Sequence, residues 1–524
     1  MLKDERLFAL EGEAFPEDPD FPQLKIAADP ALMLEVFREH LKPISSRVLD
    51  ILECIPFRFR CRQSTDRCVL QYTLRLADPA THRQWDTWAT GLIYTQPGEA
   101  KRLWQEAQAS DPRHEVPAKW LTFEPVCFIP DLQMVVTLFP YDRKLRNLSL
   151  VLGGALLSLE PQLLAEFGPG QWRVEQRTIE PTRYRTEMGA ALKYTLQARD
   201  GLAGASQTRR FYLKVYRNDH GQETLELLQS FGLRRQAKRD AALGSCDAAI
   251  DSANLVGAST SIAASRFACR RTPKGSRTEG HAYSVVRPIA YLAELRTLVL
   301  EEAAGTSLQQ LLVEGGQSHT AVRAVARAVA AFNQSAPLPS AGRGVGGQGA
   351  LPINLHHHLV DQFDDVNQAA MLVRWACPEL RAEVNAITAA VVRGLKEVAP
   401  APIHRDLKPD HIFLDDGHVI FIDLDSAAVG DPARDPAHLF AHLIARVGMD
   451  SLPPDQARAA AAVFVEEYFA HAPMRWWRQF PLHCAGALLE VARGIFKRQE
   501  PRWPEKVAAC VAEAGRALSH AFPL

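Results

Sequence analysis

The chain has 524 residues, of which 47% are hydrophobic, enough for two to four domains with buried cores. Its formal net charge is −1, with 60 Lys and Arg against 61 Asp and Glu, so no overall field favours nucleic acid or an anionic membrane. The choice of partner must therefore come from a local site.

The N-terminal segment and the cysteines bear on the compartment. Residues 1–22 are mixed in charge and lack the basic and then apolar regions of a signal peptide, so we interpret them as a tail. The nine cysteines form no CxxC pair and predict buried, reduced thiols. No apolar stretch approaches the ~18 residues of a membrane helix. We expect a cytoplasmic protein without membrane or nucleic-acid partners.

Two β-rich segments share one pattern. "VLQYTLRLAD" (69–78) aligns with "ALKYTLQARD" (191–200) at an offset of 122, and 89–94 then falls on 211–216 without a further shift. Later strands align at an offset of 163, which matches Pro125 with Pro288 and Leu145 with Leu308. The common order of elements favours duplication over a chance match. We predict that residues 23–165 are a degenerate copy of a β-rich lobe formed by residues 166–310.

The two copies differ at one informative position. Lys214 lies in the middle of an alternating strand, whereas the first copy has Leu92 there. The helix after this strand carries Glu223 and Glu226, so we expect Lys214 to pair with an acid, preferably Glu223. The second copy also contains an insertion at about 232–280, whose composition predicts a flexible segment or, alternatively, a basic lid over an anionic substrate.

Residues 311–524 are predicted to be mainly helical, apart from "APIHRDLKPDHIFLDDGHVIFIDLDSAA" at 401–428. A hairpin there ends in Asp423 and Asp425, and the loop before it carries Asp406, five residues ahead of His411. Phosphoryl transfer needs a carboxylate near the acceptor hydroxyl and further groups that hold a metal ion on the nucleotide phosphates. We predict Asp406 as the catalytic base and Asp423 as the principal metal ligand.

This stretch resembles the protein-kinase-like superfamily and, within it, the aminoglycoside phosphotransferase and choline kinase branch. The resemblance implies a bilobal α+β fold, with a β-rich N-lobe (166–310) and a helical C-lobe (311–524) that holds the acceptor pocket. It also implies ATP or GTP as phosphate donor, Mg²⁺ or Mn²⁺ as cofactor, and a small-molecule acceptor with a hydroxyl group. Only a short segment separates Asp423 from Asp435, which leaves no room for the peptide-docking segment of a protein kinase.

The resemblance further implies roles for single residues. Asp435 would tie down the catalytic loop, and Lys408 is the residue that Ser/Thr protein kinases carry in that loop. The residues expected to bind the nucleotide are Lys214, Glu223, the hinge residues Glu301, Glu302 and Ala303, and Lys408. Arg183 and Arg185 either contact phosphates or are solvated turn residues. Trp476, Trp477 and Trp503 are candidates for the acceptor pocket, although such tryptophans are more often core residues.

His411 departs from the family, which has an Asn at this position. An amide oxygen suits magnesium, whereas an imidazole favours softer metals. His411 therefore either ligates a softer metal directly, or hydrogen-bonds Asp406 or a metal-bound water while Asp423 and Asp425 hold the ion; the second acid favours the latter. The rival functions are a pseudokinase with a decayed loop and a protein Ser/Thr kinase. We expect the histidines of "HHHL" (356–359) to be solvated or on the substrate side.

Overall fold

The computed structural model describes residues 15–44, 48–60, 66–230, 283–315, 318–335 and 356–519. The predicted insertion at 232–280 lies outside the described residues. Within the described part, no helix combines the length and the apolar character needed to cross a bilayer.

Five antiparallel strands form a first sheet, in the order β1-β2-β3-β5-β4. They are β1 (Asp50–Arg60), β2 (Arg67–Asp78), β3 (Arg83–Tyr94), β4 (Val126–Ile129) and β5 (Met134–Leu138). Alternate residues of β2 point to one face, where Tyr72, Leu74 and Leu76 are fully buried. Helices α1 (Leu24–Ala27) and α2 (Pro30–His40) cover this face, and α3 (Glu99–Ala109) covers the other.

A second antiparallel sheet has the order β6-β7-β8-β11-β10, which repeats the order of the first. Its strands are β6 (Trp172–Arg185), β7 (Gly189–Asp200), β8 (Ser206–Tyr216), β10 (Pro288–Leu292) and β11 (Thr297–Glu301). Helices α4 (Asn147–Leu152) and α5 (Glu160–Leu164) join the sheets, and α6 (220–230) follows β8.

The strand pairing of the two sheets corresponds residue by residue. Leu92 pairs with Val135 in the first sheet, and Lys214 pairs with Leu298 in the second. These positions are separated by the same offsets of 122 and 163 that align the sequences. Because register determines which residues share a face, the correspondence supports the predicted duplication, which remains a proposal about the origin of the first sheet.

The rest of the chain is mainly helical and contains two small sheets. A four-stranded sheet has the order β12-β14-β15-β9, and β13 pairs with β16. The strands are β9 (Tyr283–Val285), β12 (Thr306–Ser307), β13 (Ala401–Ile403), β14 (Ile412–Asp415), β15 (His418–Phe421) and β16 (Ala428–Gly430). The helices are α7 (Leu308–Glu314), α8 (Ser318–Asn333), α9 (Leu359–Ala376), α10 (Arg381–Gly394), α11 (Arg434–Ala445), α12 (Pro454–His471), α13 (Phe480–Lys497) and α14 (Trp503–Leu518). The predicted α+β class, with β-rich lobes ahead of a helical lobe, is confirmed.

Buried side chains connect the first sheet to both neighbours. On one side, Phe59 of β1 stacks on Trp375 of α9, with 5.6 Å between ring centroids. On the other side, Phe139 and Leu145 share an apolar core with Leu192 and Phe211 of the second sheet. The first sheet is therefore packed into the body of the protein.

Two expectations need correction. Cys54, Cys127, Cys377, Cys484 and Cys510 are free thiols, but Cys68 is disulfide-bonded, so the expectation of reduced cysteines is wrong for Cys68. His357 is buried and hydrogen-bonded to Asp365 of α9, so it is not solvated. Trp476 and Trp503 are core residues, at 6% and 3% exposure, which agrees with the favoured alternative for these tryptophans.

Candidate active site

A buried carboxylate fixes the catalytic loop. Asp435, at the start of α11, is fully buried and accepts hydrogen bonds from the backbone N–H groups of His404 (2.7 Å) and Arg405 (3.0 Å). The amide of Asn333 donates a third, at 2.9 Å. These bonds compensate for the burial of the charge and confirm the structural role predicted for Asp435.

Asp406 follows this anchored pair of residues and is partly buried. Lys408 places its Nζ 3.4 Å from the Asp406 Oδ2. Burial alone would raise the pKa of Asp406, but the positive charge of Lys408 is the largest effect that holds that pKa below its ordinary value. Asp406 is therefore ionised at neutral pH and can only accept hydrogen bonds.

The two acids after β15 meet Lys214 from the second sheet. The Lys214 Nζ donates to the Asp423 Oδ1 at 2.5 Å and to the Asp425 Oδ1 at 2.7 Å. Burial acts to lower the pKa of Lys214, yet the charges of Asp425 and Asp423 outweigh burial and raise it. Tyr216 also donates to Asp425, at 3.1 Å. The β-lobe and the helical lobe are thus joined at the predicted site.

The expected pair between Lys214 and Glu223 is not present. Glu223 lies on an exposed face of α6 and contacts His220 at 2.8 Å, while Glu226 accepts from Gln222. Lys214 instead faces two acids from the other lobe, which satisfy its charge without a glutamate. The assignment of Glu223 as the partner of Lys214 is corrected accordingly.

His411 is buried between Asp406 and Asp423. Its Nδ1 lies 2.9 Å from the backbone oxygen of Asp406, and because a carbonyl can only accept, Nδ1 carries the hydrogen. Its Nε2 lies 3.2 Å from the Asp423 Oδ2. Burial, and then the charge of Lys408, lower the pKa of His411 to about 4, so the neutral ring presents the lone pair of Nε2 to a carboxylate oxygen.

Two acceptors that face each other at this distance are stabilised by a proton or a metal ion between them. Asp406, His411 and Asp423 each offer a ligand atom, and these atoms lie within 4.8 Å of one another. The Asp425 carboxylate lies beside that of Asp423, because both accept a hydrogen bond from Lys214. A mixed set of carboxylate oxygens and one imidazole nitrogen fits a divalent metal, so the residues predicted as metal ligands are brought together.

The predicted hinge lies where β11 ends. Glu301 uses its side chain to bind Arg287, and Glu302 lies 3.4 Å from Arg210, so these carboxylates are engaged away from the catalytic acids. Gly305 follows with φ of +84°, and a Cβ there would lie 2.0 Å from the backbone oxygen of Leu414. Only glycine permits this approach, which holds the hinge against β14.

Two residues near the site were not among those predicted from the sequence. Tyr216 and His220 both contact Asp425, through its side chain and its backbone oxygen respectively. Arg183, left open between two interpretations, lies 3.8 Å from Asp423. Tyr216 had a detectable signal, because it aligns with Tyr94 in the repeat, but that tyrosine alone gives no role.

Residues 277–477 match the model of the phosphotransferase enzyme family, APH. The matched segment contains Asp406, His411, Asp423 and Asp425 but not Lys214. No curated protein sequence matches the chain.

Solved structures with some similarity include small-molecule kinases. The ADP-bound aminoglycoside phosphotransferase APH(2'')-Ib is 11% identical over 69% of this chain and 98% of its own, with a TM-score of 0.36. The aminoglycoside phosphotransferase APH(4)-Ia, in a ternary complex of a thermostable mutant with AMP-PNP and hygromycin B, is 14% identical over 70% and 99%, with a TM-score of 0.37. A Plasmodium vivax ethanolamine kinase is 10% identical over 65% and 82%, with a TM-score of 0.36. These scores carry no functional argument, so the similarity to the family depends on the matched segment. Residues 277–477, less than half of the chain, are thus similar to the phosphotransferase enzyme family.

Proposed function

We propose that this protein transfers the terminal phosphate of ATP or GTP to a hydroxyl group of a small molecule. The observation that carries the proposal is the convergence of Lys214, Asp423, Asp425, His411 and Asp406 at the junction of two lobes. The direct passage from Asp423 through β16 to α11 leaves no segment on which a protein substrate could dock.

Each residue has a distinct role in this proposal. Lys214 binds the phosphates of the nucleotide, and the backbone of residues 301–303 holds its base. Asp406 orients the acceptor hydroxyl and accepts its proton; its lowered pKa makes it a weak base, which is adequate because phosphoryl transfer has a loose transition state. A divalent cation held by Asp423, His411 and Asp425 would neutralise charge on the phosphates.

Asp406→Asn tests the role of the base. We expect turnover to fall by about 10²- to 10⁴-fold, the usual effect of removing a general base, while nucleotide affinity stays nearly unchanged. Turnover is measured as ADP production with a panel of hydroxylated small molecules, and affinity by the shift of the unfolding temperature with nucleotide. Asp415→Asn, in the exposed turn of the same hairpin, is the matched control.

Two outcomes would contradict the proposal. Turnover by Asp406→Asn within about threefold of the parent would remove Asp406 as the base. A parent that binds nucleotide but produces no ADP with any acceptor or divalent metal would indicate a silenced site, which is the pseudokinase function.

A further inference from the structure

Five basic side chains from three separate elements meet beside the proposed active site. Arg58 and Arg60 lie on β1, Arg183 and Arg185 lie at the end of β6, and Lys497 is the last residue of α13. These five residues are named the basic cluster. None of them belongs to the catalytic loop or to the hinge.

Contacts between neighbours hold the three elements together. Phe59, between the two arginines of β1, packs on Phe496 of α13 at 5.4 Å between ring centroids, and Phe496 directly precedes Lys497. Arg60 donates to the backbone oxygen of Thr186, the residue that follows β6, at 3.2 Å. The first sheet, the second sheet and the helical lobe therefore each present cations to one place.

The cluster extends to the catalytic acids. The Arg183 Nη1 lies 3.8 Å from the Asp423 Oδ2. Burial, followed by the charge of Arg183, lowers the pKa of Arg185. The carboxylates of Asp406, Asp423 and Asp425 are close enough to act in the opposite direction. An anion bound by the cluster would therefore lie beside the reacting groups.

Two arginines in the cluster have unused donors. The Nε atoms of Arg58 and Arg185 are buried, and neither has a hydrogen-bond acceptor among the described residues. Buried donors are normally paired, because an unpaired one loses its bonds to water without replacement. An anionic ligand would supply the missing acceptors, and the planar guanidinium suits phosphate oxygens in particular.

The residues of the basic cluster repel one another. Burial, followed by the charges of Arg185 and Arg183, lowers the pKa of Arg58 to about 9. Burial, followed by the charges of Arg493, Arg60 and other cations, lowers the pKa of Lys497 to about 7. A bound anion would relieve the repulsion among Arg58, Arg183 and Arg185.

Resting on the function proposed above, we propose that the basic cluster binds a phosphate group of the acceptor, so that the acceptor is a phosphorylated small molecule with a free hydroxyl. Arg58, Arg60 and Lys497 come from the first sheet and from α13, which carry none of the residues assigned to the nucleotide. A polycationic acceptor such as an aminoglycoside would be repelled by this surface. The first sheet would thus contribute directly to the acceptor subsite.

The test compares glycerol with glycerol 3-phosphate, and adds inorganic phosphate, on the full chain saturated with ADP and magnesium. We expect the parent to bind the phosphorylated probe more tightly, and Arg58→Gln to weaken that binding by about 10- to 100-fold, the effect of one charge-assisted hydrogen bond. Affinity for ADP should be unchanged. The control is Arg83→Gln, which removes an exposed arginine on β3 of the same sheet.

Stability separates a ligand-binding role from a structural one. Arg58→Gln should unfold at the same or a higher temperature without ligand, because it removes a repelled, buried charge, and it should lose the stabilisation by inorganic phosphate. Arg58→Lys should keep part of that stabilisation. If Arg58→Gln does not fold, Lys497→Gln makes the same measurement from α13.

Three results would overturn the proposal. The first is that neither phosphate probe binds the parent. The second is that Arg58→Gln destabilises the protein and leaves binding of the probes intact. The third is that Arg58→Gln loses affinity for ADP, which would assign the cluster to the phosphates of the donor. Because binding is read without turnover, a parent that binds the probes but never makes ADP supports the anion site and overturns only the phosphotransferase function.

Discussion

Asp423 connects the two halves of the proposed site. It accepts a hydrogen bond from Lys214 of the second sheet and lies 3.2 Å from His411 of the catalytic loop. Its backbone is left-handed, with φ of 60°, a conformation that costs a non-glycine residue about 1–3 kcal/mol. The strain is maintained at the residue that must face both the lysine and the proposed cation, as is common where backbone geometry positions a functional group.

His411 should set the metal preference of the protein. Replacement by Asn, the residue expected here from the resemblance of the loop, exchanges an imidazole nitrogen for an oxygen ligand. We expect His411→Asn to lower the ratio of manganese- to magnesium-supported affinity for ADP, by about tenfold or more, because even indirect changes around metal ligands cost about 10- to 100-fold in metal affinity. Isothermal titration with each metal measures this ratio without requiring turnover.

The matched control for this substitution is His356→Asn, which changes an exposed histidine outside the catalytic loop. A metal ratio that is the same in the parent and in His411→Asn would show that His411 does not ligate the ion. Its role would then be limited to the hydrogen bond between its Nδ1 and the Asp406 backbone.

At the scale of elements, the two sheets have the same register but different surroundings. Leu92 is buried with Val69, Val135 and residues of α3 in an apolar cluster. Its counterpart Lys214 faces Asp423 and Asp425 instead. The first sheet thus has an apolar core at the position where the second sheet has its proposed phosphate anchor.

This difference predicts that nucleotide binds to the second sheet alone. Lys214→Ala should abolish the nucleotide-dependent rise in unfolding temperature. Leu92→Ala should retain that rise while lowering the free energy of unfolding by about 2–5 kcal/mol, the usual cost of a large-to-small change in a core. Thermal unfolding with and without ADP tests both variants, and persistent stabilisation in Lys214→Ala would show that the lobe assignment is wrong.

The turn between β6 and β7 is held by the first sheet. The Thr186 hydroxyl contacts Gln71 at 2.9 Å and Thr90 at 2.6 Å, all three side chains being buried. Glu187 forms an ion pair with Arg67 of β2. The first sheet therefore fixes this turn of the second sheet.

Removing the Thr186 hydroxyl should loosen this turn. Thr186→Val leaves Gln71 without its partner, so we expect a loss of about 1–3 kcal/mol in the free energy of unfolding. Amide exchange should rise in residues 186–188 more than in the middle of β7. Thr182→Val, which removes an exposed hydroxyl on β6, is the control, and equal exchange in both variants would show that the hydroxyl does not hold the turn.

Contacts between residues that are close in sequence could be predicted, whereas contacts between residues that are far apart in sequence could not. The catalytic loop could be predicted because Asp406, His411 and Asp423 lie within one short stretch, whose turn and hairpin fix their relative positions. Lys214 was identified from its place in an alternating strand. Its partners could not be identified, because the choice between Glu223 and Asp425 depends on how two lobes meet.

The basic cluster lay beyond prediction for a similar reason. Arg58, Arg185 and Lys497 are widely separated in the chain and follow no common period. Their proximity results from the packing of β1 on α13 and from the contact of β1 with the turn after β6. Local patterns predicted the elements, but only the assembled fold brings these charges together.

At the scale of the whole molecule, the first sheet has the contacts of an integral part. Phe59 is 1% exposed and packs on Phe15, Trp375 and Phe496, so it joins β1 to α9 and α13. The opposite side of this lobe shares the core of the second sheet. An appended module would have a smaller and more polar boundary.

This packing predicts that the first sheet and the helical lobe unfold together. Phe59→Ala should lower the free energy of unfolding by about 3–5 kcal/mol, the usual cost of losing a buried aromatic ring. Hydrogen exchange under mildly denaturing conditions measures that free energy separately for β2 and for α13, and we expect the two values to fall by the same amount. Phe59→Leu, which keeps most of the apolar volume, should cost less than about 1.5 kcal/mol. Loss of protection in β2 with α13 unchanged would mean that the first sheet opens alone, and its arginines could not then form a lasting part of the site.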